Sequence, residues 1–124
     1  MLAVAANRLY RENTAATGMD ELYTCDNLHR LTDTERGELN AGKDAISSLA
    51  FAQGWGLDQL GNWSSFDEDA DGDSTNELAQ SRQHNAVNEI DTDDDHTNGP
   101  DAAAITETTG PAWASPGHDA AGNM

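Results

Sequence analysis

Asp26–Leu31 (DNLHRL), Asp58–Trp63 (DQLGNW) and Asn85–Ile90 (NAVNEI) share one six-position layout, and their reading decides the fold. Val4–Leu9 (VAANRL) and Asp119–Met124 (DAAGNM) follow it as well. A polar residue opens the layout, Val4 being the exception. Two linker residues follow, then Asn, Gly or His, then a polar Arg, Asn or Glu, and last an apolar residue. An opening Asp or Asn can accept hydrogen bonds from the backbone ahead of it and form an Asx-turn. Gly or Asn at the fourth position tolerates the positive φ that tight hairpin turns demand. The layout therefore predicts a β-hairpin corner whose sixth residue starts the next strand.

The first positions, Val4, Asp26, Asp58, Asn85 and Asp119, are spaced by 22, 32, 27 and 34 residues. A strict solenoid holds its period. This drift fits one conserved corner between hairpins of varying length. After the corner at Asp26, the run RLTDTER alternates, with Leu31, Asp33 and Glu35 on one face and Thr32 and Thr34 on the other. Period two, with threonine's preference for strands, predicts β structure there. The run ERGELNAGKD adds Gly37 and an Asn-Ala-Gly turn. The competing reading is helical: in STNELAQSRQHNAVNEI, Ser74 and Glu77 stand at capping-box spacing. The recurrence of the corner favours strands. The fold expected is an all-β antiparallel meander of hairpins, with Leu9, Leu31, Trp63 and Ile90 on its covered face.

Composition sets limits on function. Apolar residues make up 36% of the 124 residues, below the usual share of about 45–50%, so the core is thin. Six Lys and Arg against 23 Asp and Glu give a net charge of −17. That charge excludes binding to nucleic acid through its phosphates and to an anionic membrane surface. Cys25 is the only cysteine, so no internal disulfide forms. The start MLAVAA lacks the basic residues and long apolar run of a signal peptide. The run ISSLAFA is too short to span a bilayer. Three regions follow: a hairpin meander over 1–90, an acidic and Pro/Gly-rich loop or linker over 91–117 in which AAITETT is the one strand candidate, and the start of a further repeat over 118–124. The acidic and C-terminal loops read as disordered.

The stretches YTCDNLHRLTDTERG, LDQLGNWSSF, HNAVNEI and HDAAGNM resemble degenerate copies of the tyrosine-aspartate repeat of RHS proteins. Cys25, Leu57, His84 and His118 stand where that family has Tyr, and His29 stands where Gly or Asn is usual. The resemblance implies β-meanders that spiral into a shell around a C-terminal toxin domain, in bacterial secreted or cell-surface proteins. It implies structural turn residues. The chain is too short to close a shell and carries no recognisable toxin domain, so it is expected to be a non-catalytic segment. Its expected partner is the remainder of such a protein or another sheet edge, and its place the cell surface or exterior.

Candidate chemistry centres on DEDADGDS. Asp67, Asp69, Asp71 and Asp73 alternate around Gly72, as oxygen ligands for a hard cation such as calcium would. The twelfth position from Asp67, where a helix-loop-helix calcium site needs Glu, is Leu78, and Glu77 falls one short. The alternative is a solvated acidic hairpin tip. DTDDDH, Asp91–His96, reads as solvated loop. A Cys25-His-Asp site has no supporting spacing, and no nucleophile elbow or phosphate loop is present. Trp55, Trp63 and Trp113 offer core packing or, exposed, a platform for glycans.

Overall fold

A computed structural model describes residues 7–91, 104–114 and 116–117. The regular elements among them are seven strands: β1 (Tyr10–Arg11), β2 (Asp20–Cys25), β3 (Leu31–Leu39), β4 (Ile46–Leu57), β5 (Trp63–Asp69), β6 (Leu78–Arg82) and β7 (Ile105–Thr109). Their order in the sheet is β1-β2-β3-β4-β5-β6-β7, so the fold is an open all-β antiparallel meander. The window STNELAQSRQHNAVNEI holds no helix: it contains β6 and the corner at Asn85. Ser74 caps no helix and takes a left-handed turn conformation, φ 70°. The linker expected over 91–117 contains β7, which pairs with β6. The 118–124 repeat and Val4–Ala6 of the first corner lie outside the described residues. Among the described residues no helix is long and apolar enough to cross a membrane.

The chain forms two compact units, one made of the residues up to Gly54 with Glu68–Thr75, the other of Trp55–Asp67 with the residues from Asn76 onward. In the first unit, β1, β2, β3 and β4 pair so that Arg11 faces Glu21, Glu21 faces Arg36 and Arg36 faces Phe51. That row is held by charge. Glu21 lies 3.2 Å from Arg11 Nε and 3.0 Å from Arg36 Nη2, and the Tyr23 hydroxyl donates to it. The Arg36 guanidinium lies 5.5 Å from the Phe51 ring centroid. A buried carboxylate is tolerated only with such partners. The Tyr23 hydroxyl, ahead of the two arginines, holds the Glu21 carboxyl below its usual range against the cost of burial. In the next row Tyr23 faces Thr34 and Thr34 faces Gln53, whose Nε2 donates to Glu68 at 2.7 Å. Small residues keep close approaches open. A Cβ on Gly37, at a β-bulge, would land on the Ser48 carbonyl oxygen.

The second unit carries most of the apolar burial. Among the described residues Phe66, Leu78, Ala104 and Ile105 are buried there, and Leu39 is buried in the first unit. Trp55, Trp63 and Phe66 form a three-ring cluster with centroids 5.7–5.9 Å apart, a separation at which rings attract. The expected covered face is corrected in part: Leu9, Leu31 and Trp63 are 59%, 42% and 41% exposed, while Ile90 is half-buried. The sixth corner residue sits where the chain leaves a turn, and a sheet without a helical layer among the described residues leaves such positions open to solvent.

Candidate functional site

Three corners repeat one hydrogen-bond pattern. At Asp26, Oδ1 accepts from the backbone N–H groups of Leu28 and Arg30, each at 2.9 Å. At Asp58, Oδ1 accepts from Leu60 at 2.8 Å and Asn62 at 2.9 Å. At Asn85, Oδ1 accepts from Val87 at 3.1 Å and Glu89 at 3.0 Å. In each, the first residue's N–H donates to the fifth residue's carbonyl, and the fourth residue's N–H donates to the first residue's carbonyl, all at 2.9–3.1 Å. The fourth residues, His29, Gly61 and Asn88, have φ of 63°, 90° and 68°. The sequence layout located these three corners. His29 adopts the left-handed conformation despite being neither Gly nor Asn, at a cost of roughly 1–2 kcal/mol.

A rule the layout did not contain links the first and fifth side chains. Asp26 Oδ2 accepts from Arg30 Nε at 2.7 Å, and Asp58 Oδ2 accepts from Asn62 Nδ2 at 2.9 Å. Asn85 reverses the direction, donating from Nδ2 to Glu89 at 2.8 Å. An acceptor at position one takes a donor at position five, and a donor takes an acid. The rule identifies a further corner at Asn40–Ala45. Asn40 Nδ2 donates to Asp44 at 2.7 Å, Asn40 Oδ1 accepts from the Asp44 N–H at 3.1 Å, and Lys43 has φ 59°. Sequence reading reached that turn through Asn-Ala-Gly and missed its kinship, because Lys stands where Gly or Asn was sought. The signal was the Asn with an acid four residues on.

Adjacent corners also touch within each unit. Asn7 Nδ2 lies 3.2 Å from His29 Nδ1, and Asn62 Nδ2 donates to Asn88 Oδ1 at 3.0 Å. Electrostatics reinforce the turns. The Arg30 backbone N–H, with lesser help from the Arg30 side chain, holds the Asp26 carboxyl below its usual range. The Asn62 side chain, with the N–H groups of the turn, does the same for Asp58. Backbone N–H groups of Asn13 and Leu39 do it for Asp20, which ties the loop before β2 to the end of β3.

Of the candidate metal ligands, Asp69, Asp71 and Asp73 come together in the first unit, each offering an oxygen within 4.8 Å of the others. Asp67 lies outside that group, two residues before Asp69 on β5 and so roughly 6–7 Å down the strand. Asp69 is buried, with Oδ1 accepting from the Gly72 N–H at 2.6 Å and Oδ2 from the Ser74 N–H at 2.8 Å. Asp71 and Asp73 each close an Asx-turn onto the N–H two residues on. Cys25 is half-buried at a β-bulge opposite Leu31, His84 pairs with Ile90 across a bridge, and neither joins a ligand cluster among the described residues. Trp55 and Trp63 pack with Phe66, while Trp63 and Trp113 lie on Arg82 at 5.0 and 5.7 Å.

Comparison with protein-family models, with curated proteins and with solved structures gave no match.

Proposed function

We propose that this chain is a non-catalytic structural segment, a β-meander of corner hairpins serving as scaffold or shell in a larger RHS-like surface or secreted assembly. The observation that carries this reading is the corner itself. The same main-chain bonds recur at Asp26, Asp58 and Asn85, with first and fifth side chains matched as donor and acceptor. The residues that a catalytic reading would recruit, Asp and Asn beside His or Gly, are spent on closing turns. β1 and β7 stand at the ends of the strand order among the described residues, and the end of a meander is where a further strand of the same sheet adds. The test is strand addition. A peptide carrying one corner and a following strand is added to the chain, and amide exchange along β7 is followed by NMR. Protection of β7 at micromolar to millimolar peptide supports the reading. Unchanged exchange, or cleavage of RNA or another polymer by the purified chain, refutes it.

A second reading, calcium binding, is favoured by the convergence of Asp69, Asp71 and Asp73. Calcium takes about six to eight oxygens, and carboxylate oxygens that accept N–H groups keep lone pairs for a cation. Calorimetric titration decides it. Heat at micromolar to millimolar calcium, lost in a D71N/D73N variant, supports binding. A flat titration leaves the tip as a turn closed by its own carboxylates.

A further inference from the structure

Arg82 is an anomaly in so acidic a chain. Arg11, Arg30, Arg36 and Lys43 each lie within 3.2 Å of a carboxylate oxygen, whereas Arg8 and Arg82 form no ion pair among the described residues, and of these two Arg8 is exposed and Arg82 half-buried. Arg82 lies on β6. Its Nε donates to Gln80 Oε1 at 2.7 Å, and Gln80 is itself 3% exposed, so the guanidinium has a fixed anchor. Trp63 and Trp113, fifty residues apart in sequence, bring their rings to 5.0 and 5.7 Å from its central carbon. Its two Nη atoms bond to no acceptor among the described residues and are not among the fully buried unsatisfied atoms. Glu107, the residue opposite Gln80 on β7, accepts the Trp113 backbone N–H at 2.7 Å. That bond holds the Trp113 backbone against β7.

A guanidinium anchored at Nε and flanked by aromatic rings presents its outer edge as a ready fork for a planar oxyanion. The half-exposed indoles beside it offer flat apolar surface. The net charge of −17 selects among anions. Repulsion grows with ligand charge, whereas a single carboxylate on an apolar body is repelled least and is screened beyond roughly 8 Å at physiological ionic strength. Partial burial weakens the hydration of the guanidinium, which lowers its pKa from the usual value. We propose that Arg82, walled by Trp63 and Trp113 and positioned by Gln80, is a binding site for a monovalent aromatic carboxylate. This goes beyond the scaffold reading and stands independently of it.

The test is NMR of the Arg82 Nε–H and Trp indole signals at constant ionic strength, with sodium benzoate, N-acetylphenylalanine and inorganic phosphate as probes. Saturable shifts at millimolar benzoate or N-acetylphenylalanine support the site. Tighter binding of N-acetylphenylalanine assigns the carboxylate to a chain terminus, and tighter benzoate assigns it to a small acid. R82K keeps the charge and loses the fork, so it is expected to weaken binding at least tenfold. W113A is expected to weaken it several-fold with the sheet retained. Shifts that never saturate, equal binding by R82K, or phosphate binding tighter than either carboxylate overturns the proposal. Should R82K fail to fold, saturation in the wild type and its loss in W113A decide the matter.

Discussion

The donor–acceptor matching of corner positions one and five is open to a reciprocal exchange at Asn40 and Asp44. In the native corner Asn40 Nδ2 donates to Asp44 at 2.7 Å. N40D replaces that donor by a second carboxylate. The lost hydrogen bond is worth about 0.5–1.5 kcal/mol, and two carboxylates roughly 4 Å apart in water repel by about 1 kcal/mol. N40D is therefore expected to destabilise the chain by about 2 kcal/mol. D44N alone leaves Asn facing Asn, which still bonds, and costs under about 1 kcal/mol. The double variant N40D/D44N recreates the Asp58–Asn62 arrangement with donor and acceptor exchanged. It is expected to recover to within about 0.5 kcal/mol of the native chain, a coupling of about 1–2 kcal/mol. Urea denaturation of the four chains at neutral pH reads this out as midpoint shifts at constant slope. The N40D deficit should shrink below about pH 4, where its added carboxylate takes a proton. If the double variant is as unstable as the sum of the singles, the side chains do not hold the corner and the matching is incidental.

The remaining predictions follow from single features. Hydrogen bonds hold the Asp20, Asp26 and Asp58 carboxyls below the usual carboxylate range. Their contribution is thus fully present above the ordinary carboxylate range and lost as pH falls through their lower folded values. Urea midpoints should be flat from about pH 5 to 7 and drop below about pH 4, and a midpoint that rises on acidification would contradict this. H29G should stabilise the chain by about 0.5–1 kcal/mol, because the Cβ penalty of about 1–2 kcal/mol that Gly removes at the positive φ of His29 exceeds the extra backbone entropy, about 0.5–1 kcal/mol, that Gly loses on folding. Thermal denaturation checks the sign. G37A should destabilise by more than about 2 kcal/mol, since its Cβ meets the Ser48 carbonyl and the backbone must move. Near-native stability of G37A would show that the bulge relaxes freely.

The corners were legible because their cause is local. An Asp or Asn side chain reaching N–H groups two and four residues on needs no distant partner, and a residue that tolerates positive φ is written in the sequence. His29 and Lys43 took that conformation against their preference, since the flanking strands and the first residue's bonds over-determine the turn. The strand reading of RLTDTER was legible from its alternation. The helix-like window from Ser74 to Ile90 is ambiguous because its apolar spacing fits neither period well, and the pairing of β6 with β7 resolves it.

By itself the sequence determined the turns, the all-β class and the acidic balance, all consequences of short-range geometry and of counting. Only the tertiary structure decided which side chains are covered. Leu31 and Trp63, apolar and next in line after a corner, remain open, while Gln80 and Glu21, polar and charged, are buried. Burial depends on what the neighbouring strand places opposite, and that register is a long-range property. The same holds for Arg82, whose two indoles come from Trp63 and Trp113.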